Sequence, residues 1–178
     1  MHNKRIALLV YNYFEEAELA EPQKALEDAG CTTVVVSPTE GPLTALQHVS
    51  KGGQYKVDVP LSEVDFNDYD ALVVPGGVVN ADKLRMEAKA RDWVRTFVQN
   101  NKPVAVICHG PWLLVSAGVV QDRRLTSYFT LQDDIRNAGG TWLDDEVVID
   151  GPLITSRTPK DLPAFNKALI QSLGVSVK

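Results

Sequence analysis

The stretch Lys102-Pro103-Val104-Ala105-Val106-Ile107-Cys108-His109-Gly110-Pro111-Trp112-Leu113-Leu114 joins a short, wholly apolar run to a helix-patterned one through a tight corner. Val104–Ile107 has the composition of a strand covered on both faces. Gly110 permits a sharp turn, and Pro111 suits the first position of a helix because its ring presets φ. A buried strand running through Cys108 into a helix is the layout of a nucleophile elbow. It predicts an α/β fold with a mainly parallel sheet and helices on both faces.

Working outward, similar apolar runs stand at 6–11, Thr32–Ser37, Ala71–Val74 and 147–149, separated by helix-patterned segments. The spacing of Leu19, Ala20, Gln23, Leu26 and Glu27 predicts a helix over 17–29 that ends at Gly30. Two more helices should stop at Ala117-Gly118 and Ala138-Gly139, where glycine supplies the left-handed closing conformation. Segment 159–173 places Leu162, Phe165, Leu169 and Ile170 on one face, with Pro159 in the first turn. Residues 41–60, rich in glycine and proline and ending in the alternation Tyr55, Val57, Val59, read as a small hairpin excursion. Nothing repeats at a fixed period, so residues 1–178 read as a single domain.

Composition narrows the function classes. The 178 residues are 44% hydrophobic and 23% charged, which excludes a disordered chain. Eighteen basic residues against 23 acidic ones give a net charge of −5, a poor match to nucleic acid as a partner. Only Cys31 and Cys108 are cysteines, so a disulfide scaffold is excluded and a reducing, cytoplasmic compartment is expected. Met1-His2-Asn3-Lys4-Arg5 is basic, but the apolar run after it stops at Tyr11 and meets Glu15, Glu16 and Glu18, so no leader is expected. The apolar stretch 104–120 is interrupted by Cys108, His109, Gly110 and Pro111 and is too short to span a bilayer.

The chemistry gathers at three strand ends. Cys108 lies where α/β sheets carry their sites, at a carboxyl end facing a helix N-terminus, which should lower its thiol pKa from about 8.5. Cys31, between a helix stop and a strand start, reads as a packing residue. The histidines are His2, His48 and His109, so a triad with its histidine late in the chain is excluded. His109 is either the base for Cys108 or a turn residue whose ring covers the site. In Tyr13-Phe14-Glu15-Glu16-Ala17-Glu18-Leu19, Glu15 and Glu16 suit a helix N-terminus. Glu18, if it shares a crevice with Cys108, should be protonated by burial and donate a hydrogen bond to sulfur. The acidic loop argues against a flavin or nucleotide, no phosphate-binding glycine pattern occurs, and no cofactor is expected. Val73-Val74-Pro75-Gly76-Gly77 ends a strand, and the Gly77 and His109 N–H groups could form an oxyanion hole, or the glycines could make a plain turn. Asp133-Asp134 and Asp144-Asp145 read as helix caps or solvent-facing pairs, and no spacing fits a metal. Trp93, Trp112 and Trp142 read as core or interface anchors.

These stretches, FEEAEL, LVVPGG and KPVAVICHGPWLL, with LTSYFTLQDDIRNAGGTW, EVVIDGPLITSR and PKDLPAF, resemble the ThiJ/PfpI superfamily over nearly the whole chain, most closely its PfpI-like branch of intracellular cysteine peptidase homologues. The resemblance implies a flavodoxin-like (Rossmann-like) α/β sandwich of the class I glutamine amidotransferase type. It also implies a nucleophilic Cys108 partnered by His109, Glu18 bonded to the thiol, an oxyanion hole from Gly77 and His109, and Gly76 and Tyr128 in the pocket. Family members assemble as homodimers or larger rings, and in the peptidase branch a neighbouring subunit supplies a glutamate shortly after PGG. Here that segment is Val78-Val79-Asn80-Ala81-Asp82, so Asp82 is the acid available for an intersubunit role. Other branches carry a histidine where this chain has Tyr128. The implied function is that of a stress-response cysteine enzyme attacking the carbonyl of a peptide, or of a small α-oxoaldehyde in a glyoxalase III or deglycase-like reaction. The reading from a different class is a redox sensor or chaperone in which Cys108 is oxidised to sulfinic acid and held by Glu18.

Overall fold

The computed structural model of the chain describes residues 3–175. Met1 and His2, which belong to the basic start weighed above, lie outside the described residues. The strands are β1 (Arg5–Leu9), β2 (Thr32–Ser37), β3 (Leu43–Gln47), β4 (Ser50–Tyr55), β5 (Val59–Pro60), β6 (Ala71–Val74), β7 (Val104–Ile107), β8 (Arg124–Leu125), β9 (Thr141–Trp142), β10 (Val148–Asp150) and β11 (Leu153–Ser156). The helices are α1 (Glu16–Asp28), α2 (Val78–Leu84), α3 (Ala88–Gln99), α4 (Pro111–Ala117), α5 (Gln132–Asn137) and α6 (Leu162–Ser172). Seven strands make one sheet in the order β10-β11-β7-β6-β1-β2-β5, parallel throughout except for β10 at its edge. This is the flavodoxin-like α/β sandwich.

Alternate residues of each strand serve opposite faces, as the pleat requires. Ala7, Leu9, Leu72, Val74, Val104 and Val106 pack with Trp93, Val94 and Phe97 of α3 and Leu113 and Leu114 of α4. Ile6, Leu8, Val73, Ala105 and Ile107 pack with Leu19 and Leu26 of α1 and Phe165 and Leu169 of α6. Trp93 is fully buried and stacks on Phe66 at 5.1 Å, so the core-anchor expectation holds for it. Cys31 is buried in the second face, again as a packing residue. No helix of the described residues is long and apolar enough to cross a membrane.

Two expectations need correction. The excursion at 41–60 contains the antiparallel hairpin β3–β4, but Val59 leaves it and pairs with Val36, so β5 is the edge strand of the main sheet. The last helical segment opens with a 3-10 turn, Pro159–Asp161, before α6. Pro163 has no N–H to give to the Pro159 carbonyl, which accepts from Leu162 instead.

Candidate active site

The end of β7 turns through Cys108 with φ at +62°, a left-handed conformation that L side chains rarely adopt. The strain is held from both sides. Cys108 N–H donates to Ser156 O of β11 at 3.0 Å, and Cys108 O accepts from Tyr128 N–H at 2.8 Å. The sequence places the turn's freedom at Gly110, whereas Gly110 is right-handed helical. What that position needs is space, because a Cβ there would meet Val106 Cγ1 at 2.6 Å and Val74 O at 3.1 Å. Pro111 opens α4 as expected.

His109 Nδ1 lies 3.3 Å from Cys108 Sγ. Its half-buried ring stacks on Tyr128 at 4.6 Å and meets Trp112 edge-on at 5.5 Å. Burial pulls the imidazole below its ordinary value, so the ring is neutral and able to accept a proton near pH 7.

Glu18 enters from the first turn of α1 and is completely buried. Its Oε2 accepts the Gly76 N–H at 2.7 Å, while Oε1 has no hydrogen-bond partner among the described residues. Burial pushes the carboxyl group up to about 8, against the pull of the Gly76 N–H. The group adjoins the Cys108 thiol, and the two cannot both ionise cheaply. Burial first, and then the negative charge of Glu18, raise the thiol above its ordinary value, although the N–H groups of Gly77 and His109 face the sulfur and pull it down. The expected lowering by the helix N-terminus is thus reversed, because desolvation outweighs the amides. Those amides are the ones expected to form an oxyanion hole, and they sit against the sulfur, where charge on an added carbonyl oxygen would also develop.

Gly76 and Gly77 are required for different reasons. A Cβ at Gly76 would collide with Glu18 Oε2 and with Cys108 Cβ, whereas Gly77 holds φ at +93° ahead of α2. Glu15 and Glu16 do more than suit a helix N-terminus. Glu16 accepts from Gln47 Nε2 at 2.7 Å, Gly53 N–H at 2.9 Å and Tyr55 OH at 3.1 Å, which clasps the β3–β4 hairpin to α1. Glu15 accepts the His48 N–H at 3.0 Å at the hairpin tip.

These groups open into a cavity of about 750 Å³. Glu18, Gly77, Cys108, His109 and Tyr128 line it, whereas Gly76, expected there too, is buried against Glu18 and Cys108 and is not one of its walls, and Asp82 is exposed on α2 and lies outside it. The sequence reading missed the other walls, which include His48 and Val49 of the hairpin tip, Val78, Phe129, and the strip from Arg157 to Asp161. In that strip Arg157 grips Asp161 through Nε at 2.9 Å and Nη2 at 3.0 Å, and reaches Asp144 at 2.8 Å. Burial pushes the Asp161 carboxyl up, but Arg157 overcomes it and holds the group below its ordinary value. Asp144 faces solvent, as expected, and pairs there with Arg157. The i, i+4 spacing of Arg157 and Asp161 was the available signal.

The model of the DJ-1/PfpI family matches residues 4–172. A Pyrococcus furiosus protein named "Deglycase PfpI" is 40% identical over 95% of this chain and 99% of its own length. A Bacillus subtilis protein named "Putative cysteine protease YraA" is 39% identical over 96% of this chain and 99% of its own. Among solved structures, a two-domain protein from Anabaena variabilis, with DJ-1/ThiJ/PfpI-like and ferritin-like domains, superposes with a TM-score of 0.89 at 31% identity. The match covers 97% of this chain but 48% of that one. Drosophila melanogaster DJ-1beta superposes with a TM-score of 0.87 at 26% identity, over 96% of this chain and 90% of that one.

Proposed function

The chain belongs to the DJ-1/PfpI family, and on that premise we propose that it is a cysteine-dependent enzyme whose Cys108 sulfur adds to the carbonyl carbon of a small α-oxoaldehyde, or of a glycated group derived from one. The observation that carries the reading is the 3.3 Å approach of His109 Nδ1 to Cys108 Sγ beside the buried carboxyl group of Glu18.

His109 takes the thiol proton as the C–S bond forms, and returns it to the former carbonyl oxygen, giving a hemithioacetal. The charge that develops on that oxygen falls near the N–H groups of Gly77 and His109. Neutral His109 next removes the hydrogen from the sulfur-bearing carbon and returns it to the neighbouring carbon, while the hydroxyl proton on the first carbon passes to the oxygen on the second, leaving a thioester carbonyl beside a hydroxyl-bearing carbon. One carbon is oxidised as the other is reduced, so no external oxidant enters. Water then cleaves the resulting thioester, releasing a 2-hydroxy acid and the thiol. Glu18 keeps its proton and supplies a hydrogen bond to sulfur or oxygen.

The peptide reading asks for an acid to orient His109. The resemblance puts that acid on a neighbouring subunit, where this chain offers Asp82 in place of glutamate, and within the chain the ring is held by Tyr128 and Trp112. A small substrate needs no such acid. We further propose that the enzyme works without a cofactor, in a reducing cytoplasm, as a homodimer or larger ring in which Asp82 is free to meet a neighbour.

The test is formation of lactate from methylglyoxal and cleavage of casein by the wild type and Cys108→Ala. Lactate from the wild type alone supports the reading. Casein cleavage without lactate replaces it with a peptidase, and no turnover together with a mass gain of about 32 Da on Cys108 after mild peroxide replaces it with a redox sensor.

A further inference from the structure

We infer that Asn80 is a positioning residue that aims the two backbone N–H groups facing Glu18 and Cys108. Asn80 is fully buried in the first turn of α2, and its polar contacts lead out of its own helix. Its Nδ2 donates to Pro75 O at 2.9 Å and to Gly76 O at 3.0 Å, and its Oδ1 accepts the Tyr11 N–H at 2.6 Å beyond the end of β1.

A peptide group is planar, so fixing its carbonyl fixes the direction of the N–H at its other end. The Pro75 carbonyl shares a plane with the Gly76 N–H, which donates to Glu18 Oε2 at 2.7 Å. The Gly76 carbonyl shares a plane with the Gly77 N–H, which faces the Cys108 sulfur. Asn80 thus holds the rear of the two peptide units whose front edges serve the site. The brace is needed because both units are built on glycine, the least restrained residue, and neither can carry a Cβ without collision or strain. The Gly76 carbonyl has a backbone donor as well, the Glu15 N–H, but at 3.3 Å it is longer than the Asn80 bond.

This inference rests on the reading of Cys108 as the nucleophile, and its test needs no substrate. Alkylation of Cys108 by iodoacetamide is followed between about pH 6 and pH 10, resolved from Cys31 by peptide mass, on folded protein. The variants are Asn80→Ala, Asn80→Leu, which keeps the volume and decides the matter if the alanine variant does not fold, and Ser37→Ala. Ser37 is a buried residue whose Oγ accepts the Thr39 N–H, at the end of β2, with β1 between it and β6, which leads into the turn. Loosened amides stabilise the thiolate less, so at each pH below the thiol midpoint the Asn80 variants should react about tenfold more slowly than the wild type. Ser37→Ala should lose stability and keep the wild-type rate. Asn80 variants that melt lower with an unchanged alkylation rate would assign Asn80 a structural role and overturn the inference alone. A wild-type Cys108 that stays unreacted even at the alkaline end of the range would overturn the nucleophile reading, and the inference with it.

Discussion

Gly76 donates its backbone N–H to Glu18 Oε2 at 2.7 Å, inside a site where Glu18 Oε1 has no partner among the described residues. A carboxylate left half-satisfied in the interior is costly, whereas a carboxylic acid needs one fewer donor from its surroundings and gains an O–H of its own that can point at sulfur.

Glu18 therefore makes stability depend on pH. Below about 4.5 both folded and unfolded chains carry its proton; above that the unfolded chain releases it, while the folded one keeps it up to about 8. Stability should fall as pH rises through this window, by up to about 1.4 kcal/mol per unit. Glu18→Gln has no proton to lose, and the opposite contribution of His109 is common to both proteins and cancels in the difference. Denaturant melts of the pair at several pH values check this, and a constant difference would mean that Glu18 is ionised when folded.

Removing the proton acceptor should cost turnover rather than fold. His109→Ala is expected to lower methylglyoxal conversion by about 10²- to 10⁴-fold with only a small change in melting temperature. Because burial holds the imidazole below its ordinary 6.5, the acid limb of the wild-type rate profile should lie below that pH. A limb above it would reassign the titrating group.

Two glycine substitutions should separate crowding from backbone strain. Gly76→Ala drives a methyl into Glu18 and Cys108 and is expected to cost about 2 kcal/mol or more and to abolish alkylation of Cys108. Gly118→Ala at φ +71° meets nothing within 4 Å, should cost about 1 kcal/mol, and should leave alkylation unchanged. Equal effects on alkylation would refute the collision account.

The elbow was legible because its signals are local: an apolar strand, a cysteine, and a proline able to start a helix. The positive φ was not, since Gly110 is the residue that sequence logic nominates, and only the packing of Val106 and Val74 shows that its task is to be small. The thiol was misjudged for a similar reason. A helix N-terminus can be read from a proline and a periodicity, but the depth of burial that overrides it comes from residues far apart in the chain. Asn80 and the Arg157 strip escaped notice because their roles are defined by partners on other elements. Glu18 was named on the condition that it share a crevice with Cys108, and through the family resemblance; the structure lines one cavity with both.

The Arg157 strip gives a stability contrast. Asp161 keeps 6% of its side chain exposed, so Asp161→Ala leaves Arg157 without its main partner and should cost about 2–4 kcal/mol. Lys24 pairs with Asp28 on the solvent side of α1, and Lys24→Ala should change stability by less than about 0.5 kcal/mol. Since the strip walls the cavity, Asp161→Ala should also raise KM for methylglyoxal more than it lowers kcat. An unchanged KM would remove these residues from substrate contact.

Glu15, Glu16 and Glu18 leave the start of α1 toward the hairpin tip, the hairpin body and the thiol respectively. Glu15 is the extended residue that precedes the helix, whereas Glu16 and Glu18 lie within it, where successive residues are rotated by about 100°. Inserting a single residue between Glu16 and Glu18 would swing the buried acid away from sulfur while the clasp on the hairpin stayed in place.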